Sequence, residues 1–143
     1  MLRNWFECRI RYEKTMENGM SKKVTEPYLV DALSFTEAEA RIIEQMAPYI
    51  SGEFTVRDIK RASYSEVFYT DEVLADKWYK GRLGFVTLDE KAGKEKVTYT
   101  NVLVQAFDFR DAVKRLDVGM KGSMADYVIM LMQETAIMDV YEY

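Results

Sequence analysis

The 143-residue chain has no histidine, a single cysteine and two prolines. Without histidine, the most common general base and transition-metal ligand near neutral pH is missing, so any chemistry would rest on carboxylates, lysines or tyrosines. Cys8 has no partner for an internal disulfide, which fits a reducing compartment, and no imidazole to activate it as a nucleophile. No apolar run approaches the ~20 residues of a membrane-spanning helix, and the segment after Met1 lacks the apolar stretch of a secretion signal. A cytoplasmic chain without membrane contact is therefore expected. No glycine-rich phosphate loop is present either, and Gly81-x-x-Gly84 falls in a strand pattern, where close packing or a bulge accounts for it. The acidic pairs Asp58 with Glu66 and Asp108 with Asp111, and the group Asp71, Glu72 and Asp76, have no distinctive ligand spacing, so neither a metal nor a cofactor is expected.

The composition, 48% apolar and 31% charged, is that of a packed protein, and the net charge of −4 provides no long-range attraction for polyanions. Any nucleic-acid contact would have to be local.

The most informative feature is internal similarity. Trp5-Phe6-x-x-Arg9-Ile10 returns as Trp78-Tyr79-x-x-Arg82-Leu83, and Lys23-Val24-Thr25 as Lys96-Val97-Thr98. After one inserted residue, which places a bulge near Pro27, Leu29-Val30-Asp31-Ala32 matches Leu103-Val104-Gln105-Ala106. Removing that insertion aligns Glu66-Val67-Phe68 with Asp139-Val140-Tyr141. The expected fold is α+β, a tandem ββαβ duplication with repeats over 4–70 and 77–143, built as one domain over 1–143 with a shared core. About six mostly antiparallel strands would carry two helices packed on the sheet.

Within each copy a first strand alternates, with Phe6, Cys8 and Ile10 on one face and Trp5, Arg9 and Arg11 on the other. Asn18-Gly19 and Ala92-Gly93 supply hairpin turns. Ser34 with Glu37, and Asp108 with Asp111, have the spacing of a helix-capping box. The helices would bury Phe35, Ala38, Ile42 and Met46, then Phe109, Ala112, Val113, Leu116 and Met120. One long strand closes each copy, from Phe54 to Tyr69 and from Tyr127 to Tyr141.

Through Trp5-Phe6-Glu7-Cys8 and Glu26-Pro27-Tyr28-Leu29-Val30-Asp31-Ala32 the whole chain resembles a bacterial domain-of-unknown-function family of gut anaerobes and their mobile elements. The resemblance implies no activity.

Four groups are candidates for function. Trp5 and Arg9, repeated as Trp78 and Arg82, share a strand face opposite the main apolar stripe, where open indoles would stack on bases or a planar ligand. Alternatively each arginine covers its tryptophan and both are packed away, as tryptophans usually are. Arg57, Lys60 and Arg61 precede Tyr64, Phe68 and Tyr69, a pattern suited to a single-strand groove, but Asp58 and Glu66 interrupt it and a solvated, charged edge strand accounts for it better. Asp31, matched by Gln105, suits a residue that ties a strand end to backbone N–H groups. Finally, Val128-Ile129-Met130-Leu131-Met132 is apolar on both faces, which requires either a central strand or a face that meets another subunit. The expectation that follows is a non-catalytic binding or assembly protein with a protein partner or self-association, and the alternative is a single-stranded nucleic-acid binder.

Overall fold

The computed structural model describes residues 3–123 and 126–143. Eight strands and two helices follow in the order β1 (Trp5–Thr15), β2 (Ser21–Asp31), α1 (Phe35–Met46), β3 (Phe54–Ala62), β4 (Glu66–Phe68), β5 (Lys77–Asp89), β6 (Lys94–Ala106), α2 (Phe109–Gly119), β7 (Tyr127–Glu134) and β8 (Val140–Tyr141). They divide into two compact units, the residues up to Ser63 with Ala136–Tyr143, and Tyr64–Thr135.

In the first unit the strand order is β3-β1-β2-β8, antiparallel except for the parallel β2–β8 pair. Phe6, Cys8 and Ile10 of β1 and Val30 of β2 are buried against Ala38, Ile42 and Met46, the apolar stripe of α1. Each large side chain so buried stabilises the fold by about 1.5–3 kcal/mol. The helix starts where Ser34 Oγ accepts the Glu37 N–H at 3.1 Å while Glu37 Oε1 accepts the Leu33 N–H at 2.9 Å. Ser34 thus caps one orphan donor of the helix as the spacing predicts, while Glu37 reaches one residue further back, to the N–H before the cap.

In the second unit the order is β4-β6-β5-β7, again with one parallel pair, β4–β6. Leu83, Val102 and Val104 pack with Leu116 of α2, and Tyr79 with Ala106 and Ala112. Asp108 and Asp111 repeat the capping box at 2.8 and 3.1 Å. Phe35 and Phe109, expected inside, stay about half exposed. Each is the first residue of its helix, where the side chain overlaps the edge of the core; Phe35 still meets the Phe6 ring edge-on at 5.0 Å.

The tandem repeat holds in its elements, although Lys23 corresponds to Val97 in the ladder, so Lys23-Val24-Thr25 stands one residue out of step with Lys96-Val97-Thr98. A bulge interrupts the pairing of β1 with β3 between Arg9 and Ile10, and that of β5 with β7 between Arg82 and Leu83, the same place in both copies. The bulge expected near Pro27 is absent: β1 and β2 pair without a break from Trp5↔Asp31 to Thr15↔Ser21. Glu13 faces Lys23 where Val86 faces Val97, so the inserted residue of the second copy already lies in the hairpin turn, which absorbs length more easily than a ladder. Gly19 at φ +80° and Gly93 at φ +61° make those turns. Pro27 loses no ladder bond, because its missing donor would point away from β1, outside the Leu29–Val30 stretch that pairs with β8.

The closing strand of each copy is not continuous. After Ala62 the chain leaves the first sheet, and β4 joins the second sheet beside β6; after Glu134 it leaves the second sheet, and β8 joins the first beside β2. Val67 lies opposite Leu103 and Phe68 opposite Val104, as Val140 lies opposite Leu29 and Tyr141 opposite Val30. Each copy thus completes the sheet of the other in identical register, giving eight strands where about six were expected. Among the described residues no helix is long and apolar enough to cross a membrane.

Candidate functional site

The residues singled out in the sequence do not form one site. Trp5 and Trp78 are 4% and 2% exposed, so neither indole offers a ring face to a ligand. Tyr69 meets Trp78 edge-on at 5.8 Å. The arginines do not cover them, contrary to expectation. Arg9 makes a two-pronged pair with Asp58, its neighbour on β3, at 3.1 Å through Nε and Nη2, and Arg82 lies 4.5 Å over the Tyr99 ring. Cross-strand partners lie closer to each guanidinium than the indole four residues back on the same strand.

The basic run on β3 is likewise distributed. Lys60 pairs with Glu7 at 3.3 Å, and Arg61 lies on the opposite face over the rings of Phe6 and Phe35 at 5.1 and 5.3 Å. Arg57 is the residue the bulge skips, and it is exposed.

The outer face of each sheet is more informative. In the first unit this face carries Arg9, Arg11 and Glu13 from β1, Lys23 and Thr25 from β2, and Thr55, Arg57 and Asp58 from β3, all exposed. The corresponding positions of the second unit are Arg82, Gly84 and Val86, then Val97 and Tyr99, then Val128, Met130 and Leu131. Of these, Val86, Val97, Tyr99, Val128, Met130 and Leu131 are large apolar side chains left in water, with Val128 57% exposed and Leu88, further along β5, 67%. A Cβ on Gly84 would lie 3.3 Å from Met130 Cγ and 3.6 Å from Tyr99 Cε1, so these side chains form a continuous patch over the glycine. The doubly apolar run on β7 is thereby explained. β7 is an edge strand, not a central one: Ile129 and Met132 pack inward, and the opposite side chains face out.

A second feature joins strand ends to the strands from the other copy. Asp31, at the end of β2, accepts the Tyr143 N–H at 2.6 Å and binds Arg3 at 2.7 Å. Gln105, at the end of β6, accepts the Thr70 N–H at 3.0 Å. The tie of strand end to backbone that the Asp31/Gln105 match suggests is therefore present in both copies.

Burial pushes the Cys8 thiol up to about 12, with Glu7, Asp58 and Glu39 adding to the effect, so it stays protonated. Among the described residues no three thiol or acidic side chains converge to hold a metal ion. Asp58 is taken up by Arg9, Asp111 by Arg115 and the Phe107 N–H, and Glu72 by Arg115.

A family model for a domain of unknown function, DUF4494, matches residues 4–143, and the chain belongs to that family. No curated protein and no solved structure matches it.

Proposed function

We propose that this DUF4494 chain is a non-catalytic binding or assembly protein whose contact surface is the outer sheet face of the second unit. One observation carries the reading: two copies of one sheet present opposite surfaces, charged in the first and apolar in the second. Keeping half a dozen large apolar side chains in water forgoes stabilisation unless a partner covers them, and contiguous patches of that kind mark protein contact sites. The face flanks an edge strand, so a second copy or a partner polypeptide would find both apolar area and open backbone groups there. The single-strand nucleic-acid reading depends on open indoles and a convergent basic group, and neither supports it here.

The test is size-exclusion chromatography with light scattering, together with a pull-down from the native host, on the wild type and on Val97→Lys/Val128→Lys. Wild type should run larger than one chain or retain a defined partner. The double variant should keep the far-UV spectrum of the wild type and lose the association. A wild-type monomer with no partner, unchanged by the two lysines, would remove the reading.

A further inference from the structure

In the first unit the ring of Tyr143 occupies a defined seat beside α1. It lies 4.3 Å over the Arg41 guanidinium, and its hydroxyl accepts from Gln45 Nε2 at 2.9 Å and donates to Arg41 O at 3.4 Å. Arg41 is held for this by Glu37, one helical turn earlier, at 3.2 Å, and by the Asp31 carbonyl at 2.7 Å. The backbone that delivers the ring is fixed by the hydrogen bond from the Tyr143 N–H to Asp31.

The second unit builds the same seat and leaves it empty. Thr70 stands where Tyr143 stands, with its N–H on Gln105. Arg115 replaces Arg41 and is fixed by Asp111, again one turn earlier, at 2.7 Å, and by Glu72 at 3.4 Å. Threonine has no ring to lay over that guanidinium, and among the described residues none does so. What remains is a cavity of about 370 Å³ whose walls include Phe68, Gln105, Arg115, Val118 and Gly119, with Tyr69, whose ring meets Trp78 edge-on, at its border. Val118 and Gly119 take the places of Glu44 and Gln45, so this stretch of the wall carries smaller, apolar side chains where the first unit has longer polar ones. Its volume lies at the lower end of the ~300–1,000 Å³ of small-ligand sites.

We propose that this cavity binds a tyrosine side chain of a partner polypeptide, whose ring stacks on Arg115 as that of Tyr143 stacks on Arg41. The twin shows the chemistry directly: an arginine whose N–H groups are engaged by the Glu37 carboxylate and the Asp31 backbone carbonyl keeps its flat face for an aromatic ring. The charges around the cavity, Lys114 and Arg115 against Glu72 and Asp111, balance, which selects a neutral phenol over an anionic ring such as a phosphotyrosine. The site is independent of the outer sheet face, because α2 packs on the other side of its sheet, so either proposal can fail alone.

The experiment is a titration of the full chain with N-acetyl-tyrosinamide, followed by amide NMR, with N-acetyl-alaninamide as control. The amides of Gln105, Val118 and Gly119 should shift with the tyrosine probe only. Thr70→Tyr supplies the ring within the chain, and should abolish those shifts and raise the melting temperature. Arg115→Lys keeps the charge without the plane and should weaken binding about threefold or more. No shift at these amides with millimolar probe, equal shifts with the alanine control, or undiminished shifts in Thr70→Tyr would each overturn the proposal.

Discussion

Asp31 and Tyr143, 112 residues apart, meet through a 2.6 Å hydrogen bond from the Tyr143 backbone to the Asp31 carboxylate. Asp31 is the one buried charged side chain among the described residues, and Arg3 at 2.7 Å balances its charge. Since β8 is only two residues long, this carboxylate adds an anchor to the Leu29–Asp139 and Met138–Pro27 backbone bonds that seat it on β2.

Asp31→Ala should therefore destabilise the first unit by about 1–3 kcal/mol, because it leaves the Tyr143 N–H without its acceptor, while Arg3 keeps the Tyr143 carbonyl and Glu142. Asp31→Asn keeps an oxygen for the Tyr143 N–H, as Gln105 does for Thr70, and should cost about 1 kcal/mol. Urea unfolding of both variants measures the difference. Equal losses would mean that the hydrogen bond contributes nothing beyond charge.

Gly119 ends α2, and a Cβ there would fall 2.7 Å from two ring carbons of Phe68. Alanine in a helix ordinarily gains about 0.5–1 kcal/mol over glycine. Here the clash should outweigh that gain, so Gly119→Ala is expected to lose about 1–3 kcal/mol. Gly119→Ala/Phe68→Leu should recover part of it, since the smaller side chain clears the contact. A stabilised single variant in thermal denaturation would show that Phe68 moves aside freely.

The repeat was legible because it is written in features that need no tertiary knowledge. Trp5 and Trp78, Ser34 and Asp108, and the alternation of β1 and β5 each follow from local periodicity and capping chemistry. The exchange of β4 and β8 was not legible. Three-residue and two-residue strands have no periodicity to read, and which sheet edge they reach depends on where the chain turns after Ala62 and after Glu134. The site was partly legible: the apolar run at Val128–Met132 signalled a face needing cover. The tryptophans are packed away, as tryptophans usually are; alternation alone assigns a side chain to a face without saying whether that face is open.

Cys8 gives a pH prediction. Its thiol moves from an ordinary 9.0 to about 12 in the folded chain through burial, and burial with the Asp117 partner likewise raises Tyr127 from 10.0 to about 12. Between these values the unfolded chain has released the proton and the folded chain still holds it, so stability should fall as pH rises from about 9 towards 12 and be unaffected by these groups below that window. Cys8→Ala should flatten the early part of the decline in urea midpoints. A wild-type midpoint independent of pH up to about 11 would contradict it.

The exchanged strands make the boundaries of the folding unit differ from those of the repeat, and two fragments separate the alternatives. Fragment 64–135 contains all four strands of the second sheet and α2, including the Phe68 contact with Gly119 and the Thr70 bond to Gln105. Fragment 77–143, the repeat as the sequence defines it, lacks β4 and carries β8 without β2 to pair with. It therefore exposes the β6 edge and the side of α2 that Phe68 covers. The first fragment should unfold in urea with a single cooperative transition, and the second with a broad, weakly protected one. If 77–143 proved the more cooperative of the two, β4 would be dispensable to the second sheet, and the exchange would be a feature of chain path with no energetic weight.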